Sequence, residues 1–180
     1  MNRLEYIAVA SRFLVGVVFV VAAFGKLAGA ANFEAFVQSV RGLRLLPPGW
    51  ATAVAPVIIG AELTVVALLA IPYSDTAVAG FGLSAALSTV FAIAIAAAVR
   101  RGVTAPCRCF GASRAPLGQV HIARNALLTA VSALGAIGSI GDTPTLAGAA
   151  VAAFAGLVLG ALTVALDDLV NLFRPVRTPS

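Results

Sequence analysis

Five long apolar stretches constrain this chain more than any other feature of its sequence. A helix needs about 20 predominantly apolar residues to cross the hydrocarbon core of a bilayer, and each stretch comes close to that length. Only 11% of the residues are charged, too few to solvate the surface of a water-soluble domain, so that class of protein is excluded. We therefore predict an all-α, polytopic transmembrane helical bundle of about five spans, four in a core bundle plus one. The spans cover about residues 7–27, 51–71, 76–99, 120–139 and 145–166.

The first of these stretches is the weakest, because Arg12 and Lys26 lie inside it. It spans the membrane only if both side chains extend towards opposite interfaces. A basic start, an apolar stretch and the small residues 28–30 are also typical of a cleavable secretory signal, although the two charges would interrupt its apolar region. We expect the first helix to be retained in an integral membrane domain over residues 1–170, followed by a polar, basic tail over residues 171–180.

A short amphipathic helix is predicted between the first and second spans. Its apolar residues recur at steps of three and four, with polar residues on the other side. Asn32 is the expected N-cap, and the Pro-Pro-Gly sequence at residues 47–49 is the expected stop. We expect this helix to lie on the membrane surface or over the mouth of the bundle, and a helix that binds a partner is the alternative. The apolar residues are Phe33, Phe36, Val37, Val40 and Leu43.

Basic side chains are distributed unevenly between the two faces of the predicted domain. With five crossings, the amphipathic helix, the loop over residues 100–119 and the C-terminal tail share one face. The excess of Lys and Arg there places this face in the cytoplasm by the positive-inside rule. The net charge of +5 is expected to meet the anionic headgroups of a lipid bilayer, and nucleic acid is not an expected partner. The basic residues of this face are Lys26, Arg41, Arg44, Arg100, Arg101, Arg108, Arg114, Arg174 and Arg177.

A carboxylate inside the second span is the first candidate for a functional group. Glu62 lies about eleven residues into this span, and a charge at that depth is costly unless it is paired or hydrated. Lys26 and Arg124 enter the membrane from the same face, so the three side chains are expected to converge in one pocket below the 100–119 loop. Both a buried ion pair that fixes helix packing and a catalytic or proton-handling site fit this pattern.

A polar cluster is predicted at the start of the fourth span. His121, Arg124 and Asn125 are spaced i, i+3 and i+4, which places them on one face of a helix. A single histidine is usually a hydrogen-bonded structural group. The chain has only this histidine, and it follows a loop that contains two thiols, so a role as a base or proton shuttle is the alternative.

Two cysteines separated by one residue, Cys107 and Cys109, lie in the 100–119 loop. A disulfide between such close neighbours closes a small strained ring, and strained disulfides tend to be labile or catalytic. Arg108 and the other arginines of the loop favour the thiolate, the form that attacks disulfides. The same spacing also occurs in copper and zinc sites, but two thiolates leave a zinc site short of ligands, so we predict no metal. Structurally inert cysteines are the remaining alternative.

These residues together resemble the MauE/DoxX-like family of small bacterial membrane proteins, in its redox-associated, methylamine-utilisation branch. The resemblance covers most of the chain. It implies a multi-pass protein of the bacterial cytoplasmic (inner) membrane that supports disulfide formation or redox maturation of exported proteins beside a thioredoxin-like partner. The residues that carry it are Arg12, Gly16, Phe19, Ala22, Gly25, Lys26 and Leu27 in the first span, Glu62 in the second, Cys107, Cys109, Phe110 and Gly111 in the loop, and Arg124 and Asn125 in the fourth span.

The leading hypothesis is that Cys107 and Cys109 cycle between dithiol and disulfide in a membrane thiol-disulfide oxidoreductase that acts with a partner. Arg108 would favour the thiolate and His121 would move protons. The polar pocket would comprise Lys26, Glu62, Arg124 and Asn125. No cofactor is evident. A quinone is a candidate electron acceptor only by analogy with other membrane thiol oxidases.

Two other functions stay open, as does the orientation of the loop. The protein could be a non-enzymatic scaffold for a redox complex, or, with less support, a small-solute transporter that uses the pocket around Glu62. The spans show no convincing internal symmetry of the kind common in transporters. A role in export would place Cys107 and Cys109 on the outer face, whereas the charge distribution places them in the cytoplasm.

Overall fold

The computed structural model describes residues 3–47, 49–103, 118–140 and 145–172. Five of the helices formed by these residues, all except α2, are long and apolar enough to cross a membrane. No strand occurs in the described ranges, so the predicted all-α class is confirmed. The helices are α1 (Arg3–Leu27), α2 (Ala30–Gly42), α3 (Trp50–Ala70), α4 (Ser74–Arg100), α5 (Gln119–Gly138) and α6 (Leu146–Leu172).

Four of the long helices form a closed ring. In this ring α1 packs against α3 and α5, and α4 packs against the same two helices from the other side. The fifth long helix, α6, packs along the outside of the ring against α1. The predicted arrangement of four core spans plus one is therefore confirmed. At one end of the bundle, α1 and α4 finish and α3 and α5 begin. Because α2 also lies there, we call this end the α2 face.

The interior of the ring is apolar and centred on large side chains from all four helices. Phe19 of α1, Val65 of α3, Phe81 of α4 and Leu128 of α5 are fully buried in one cluster. The outward sides of the helices are also apolar, and Phe154 of α6 is 69% exposed. In water such a surface would aggregate, whereas acyl chains solvate it, so both surfaces of the helices match a membrane protein.

The contact between α6 and α1 depends on small residues. A Cβ atom at Gly156 would collide with the carbonyl oxygen of Ala10, and one at Gly160 would lie 3.0 Å from the carbonyl oxygen of Leu14. The two backbones therefore approach closely along a flat stripe, as small residues allow in membrane helix pairs. The spacing of four between Gly156 and Gly160 predicts such a stripe from the sequence.

The predicted amphipathic helix is present as α2. Its buried residues Phe36, Val37 and Val40 pack in one cluster with residues of α3. The predicted N-cap is wrong: the helix starts three residues earlier, and its N-cap is Gly29 with φ of 123°, a conformation that favours glycine. Asn32 lies inside the first turn, where its Nδ2 donates to the carbonyl oxygen of Ala28 over 3.2 Å.

Candidate functional site

A buried ion pair joins the first and third helices near the α2 face. Lys26 Nζ in the last turn of α1 lies 2.7 Å from Oε1 and 2.9 Å from Oε2 of Glu62. The two side chains are 2% and 0% exposed. Lys26 Nζ also donates to the carbonyl oxygen of Ala22 over 3.1 Å. Because these hydrogen bonds offset the cost of removing both charges from water, the pair can persist in the membrane interior.

An aromatic ring from α2 completes the surroundings of this ion pair. Lys26 Nζ lies 4.9 Å from the centroid of the Phe36 ring, within the distance of a cation–π interaction. Lys26 therefore connects α1 to both α2 and α3. The sequence assigns Phe36 to an apolar helix face, which is correct, but no spacing rule links it to a cation on another helix.

A second polar cluster occupies the first turns of α5. His121, Arg124 and Asn125 are all buried on one face of the helix, so the predicted grouping is confirmed. Arg124 Nη2 lies 3.4 Å from His121 Nδ1. A guanidinium group can only donate, so Nδ1 accepts and the proton of the neutral ring is assigned to Nε2. Asn125 Nδ2 donates to the carbonyl oxygen of His121 over 2.7 Å.

One contact of the predicted three-charge pocket is present, and the place of Arg124 in that pocket stays a prediction. Lys26 is the ion-pair partner that the described residues give to Glu62. Arg124 contacts His121 of its own helix. The cation that would pair with Glu62 could not be chosen from the sequence, because both candidates enter from the same face and only the packing of α1 against α3 selects Lys26.

A row of buried polar groups between α4 and α5 was missed by the sequence analysis. Ser84 and Ser132 share a hydrogen bond of 2.8 Å in the bundle interior. Ser88 Oγ and Asn125 Oδ1 are buried and have no hydrogen-bond partner among the residues that the structure describes. The spacing of four between Ser84 and Ser88, and of seven between Asn125 and Ser132, was the available signal, since both spacings keep residues on one helix face.

The predicted redox motif lies outside the described residues. Cys107, Arg108 and Cys109 belong to a segment whose described neighbours are Val103 and Gly118. These neighbours follow the end of α4 and precede the start of α5, which are both at the α2 face. Elsewhere in the chain, the described residues contain no group of three His, Cys, Asp or Glu side chains that could hold a metal ion.

A comparison with protein families gives a match over most of the chain. A family model described as methylamine utilisation protein MauE matches residues 4–138. This stretch contains α2 and all four helices of the ring, and it ends at the last residue of α5, so that α6 lies outside it. The chain matches no curated protein and no solved structure at a significant level.

Proposed function

The chain belongs to the MauE family of multi-pass membrane proteins, and we propose that it supports thiol–disulfide exchange in the redox maturation of exported proteins. The observation that carries this proposal is the position of His121 and Arg124. Both are buried in the first turns of α5, immediately after the segment that contains the Cys107-Arg108-Cys109 motif. A proton acceptor and a fixed positive charge are the groups that thiol chemistry uses.

The proposed reaction transfers two electrons between the cysteine pair and a client protein. A client thiolate attacks the Cys107–Cys109 disulfide, which forms a mixed disulfide and releases one of the two cysteines as a thiolate. The second client thiolate then attacks the mixed disulfide. The client leaves with a disulfide, and the membrane protein is left as a dithiol that holds two electrons and two protons.

Return of the pair to the disulfide requires an oxidant. We propose a thioredoxin-like protein in its disulfide form as the partner, with reversed electron flow if that partner acts as a donor. A quinone in the bilayer is the second candidate acceptor. No cofactor is needed for the exchange steps themselves, because thiolates and disulfides supply the reacting atoms.

His121 is the proposed proton-transfer group. With the proton of the neutral ring on Nε2, Nδ1 is the atom that can accept a proton from a thiol, and the 3.4 Å contact from Arg124 must open when it does, because a guanidinium cannot donate to a protonated nitrogen. Asn125 fixes the first turn of α5 by donating to the carbonyl oxygen of His121. We propose that Lys26 and Glu62 are positioning residues that hold α1, α2 and α3 together near the α2 face, the end of the bundle at which α5 begins.

A scaffold function is the second candidate, and the ion pair is the observation that favours it. Lys26 and Glu62 satisfy each other and connect three helices, which is what a purely structural element requires. In that case replacing both cysteines by serine would preserve function in cells, whereas disrupting the Lys26–Glu62 pair would abolish it. The thiol-exchange proposal predicts that the double cysteine replacement abolishes function.

Trapping of the mixed disulfide tests the proposal directly. Cys107→Ser and Cys109→Ser each leave one cysteine, whose thiolate can attack the disulfide of an oxidised partner or client to form a mixed disulfide but has no neighbouring cysteine to resolve it. We expect at least one of them to accumulate a covalent complex in cells that is visible on a non-reducing gel and lost on reduction. The double variant is the matched control. The proposal is wrong if neither variant forms an adduct and alkylation shows both wild-type cysteines to be permanently reduced.

Labelling in intact cells shows which side of the membrane Cys107 and Cys109 face. A membrane-impermeant thiol reagent should modify Cys107 or Cys109 in the reduced protein if the α2 face is exported. Protection in intact cells, with labelling after permeabilisation, would place exchange in the cytoplasm. That outcome would contradict a direct role on exported clients.

A further inference from the structure

An apolar groove lies between α1 and α3 and reaches the end of the bundle opposite the α2 face. Its volume is about 480 Å³, within the range of about 300–1,000 Å³ that is typical of small-molecule sites. Leu69 and Ala70, in the last turn of α3, line the groove at that end. From there it extends along α1, past the midpoint of that helix, to Val20 and Val21. We call it the α1–α3 groove.

One charged side chain, Arg12, lines the α1–α3 groove. Arg12 lies eight residues after Leu4, the first residue of the span, which corresponds to a depth of about 12 Å. Among the residues that the structure describes, no ion pair or hydrogen bond neutralises it, and the acidic residues nearest that end, Glu5 and Asp75, form no salt bridge with it. A guanidinium group at this depth is costly without a counter-charge, so the groove calls for an anionic ligand.

The groove also has free space beside this charge. Gly16, one helical turn from Arg12, lines the groove, and a Cβ atom added there would meet no atom within 4 Å. The valine side chains of α1 and α3 continue the apolar surface towards the membrane centre. The groove therefore has a cationic group towards its outer end and an apolar channel below it, which match the headgroup and an acyl chain of a phospholipid.

We propose that the α1–α3 groove binds an anionic phospholipid, with the phosphate on Arg12 and an acyl chain along Gly16, Val20 and Val66. The guanidinium fork matches the geometry of a phosphate and binds it through two parallel hydrogen bonds. The long arginine side chain can extend towards the headgroup level while its methylenes stay in the apolar region. The proposal concerns the end of the bundle opposite the α2 face and does not depend on the proposed redox function.

Native mass spectrometry of the full-length protein in detergent tests the proposal. The probes are phosphatidylglycerol and phosphatidylcholine, which differ in net charge but can carry the same acyl chains. We expect one phosphatidylglycerol to stay bound to the wild-type protein under conditions in which phosphatidylcholine is lost. Equal retention of the two lipids by the wild-type protein would overturn the proposal without the need for any variant.

Two matched pairs of variants locate the site. Arg12→Gln should weaken phosphatidylglycerol binding by about ten- to a hundredfold, as expected for the loss of a charge-assisted hydrogen bond, whereas Arg41→Gln on the exposed side of α2 should not. Gly16→Leu should fill the groove and weaken binding similarly. Gly82→Leu, at an exposed glycine of α4 that also has free space, should not. Arg12→Lys should keep the preference for phosphatidylglycerol but bind it less tightly than the wild-type protein, because it keeps the charge and loses the bidentate contact.

Two outcomes contradict the proposal. Undiminished phosphatidylglycerol binding by folded Arg12→Gln and Gly16→Leu would place the lipid elsewhere on the protein. Arg12-dependent binding of a quinone, without retention of phosphatidylglycerol, would identify a different ligand for the groove.

Discussion

The membrane span of α1 contains two cations, Arg12 in its first half and Lys26 in its last turn, and the structure compensates them differently. Lys26 is 2% exposed and meets a carboxylate, a backbone carbonyl and an aromatic ring from its own chain. Arg12 faces a groove that opens between two helices, and the described residues supply it with no counter-charge. Protein groups therefore neutralise Lys26, whereas the described residues leave Arg12 to interact with molecules around the protein.

The largest expected loss of stability follows from removing the carboxylate of Glu62, which compensates the charge of Lys26. Glu62→Gln leaves Lys26 buried without its carboxylate and should lower the free energy of unfolding by about 3–5 kcal/mol. Thermal unfolding in detergent measures the change. Glu34→Gln, at an exposed carboxylate of α2, is the control and should change stability by less than about 0.5 kcal/mol. Similar losses for both variants would show that the buried pair has no special role.

A paired replacement separates the structural role of this ion pair from a functional one. Lys26→Met combined with Glu62→Leu removes both charges and should recover most of the stability lost in Glu62→Gln, because well-packed apolar residues can replace a buried pair. Thermal unfolding again gives the stability, and the trapping of a mixed disulfide gives the function. A stable double variant that still forms the adduct would contradict the positioning role proposed for Lys26 and Glu62.

A smaller effect is expected from the aromatic ring beside Lys26. Phe36→Leu removes the cation–π contact and should cost about 0.5–2 kcal/mol beyond the loss of packing. The same substitution in the Lys26→Met, Glu62→Leu background should cost less, and the difference is the coupling energy of the double-mutant cycle. An equal cost in both backgrounds would mean that Phe36 contributes through packing alone. Phe33→Leu on the same helix controls for general weakening of α2.

The smallest effect on the stability of the lipid-free protein is expected at Arg12. Arg12→Gln should change the free energy of unfolding in lipid-free detergent by less than about 1 kcal/mol, since no described protein group pairs with Arg12. Phosphatidylglycerol should raise the unfolding temperature of the wild-type protein more than that of this variant, because a ligand stabilises only the state that binds it. A large loss of stability in the absence of lipid would show that the protein itself compensates Arg12.

The sequence predicted the spans well because hydropathy depends on residue type and not on packing. The bounds shifted by a few residues, as at α1, which begins at Arg3 where the prediction has residue 7. Glu62 was found because a carboxylate in an apolar span is conspicuous. The sequence limits the ion-pair partner of Glu62 to Lys26 or Arg124. The choice of Lys26 depends on how α1 packs against α3.

Other features escaped the sequence analysis for physical reasons. Serine in a membrane helix can bond to a carbonyl of its own helix, so Ser84 gave no signal that it would pair with Ser132 of α5. Asn32 has the chemistry of an N-cap, but the alanines before it extend the helix back to Gly29. The roles of Cys107, Cys109 and His121 remain predictions, and the trapping experiment addresses them.

The close contact of α6 with α1 has a consequence for how the protein is made. The flank of α1 at Ala10 and Leu14 is covered by glycines of α6, Gly156 and Gly160. Because α2, α3, α4 and α5 lie between these two helices in the sequence, this flank of α1 stays against lipid during synthesis until α6 has also entered the bilayer. The contact therefore forms only after all four helices of the ring have been made.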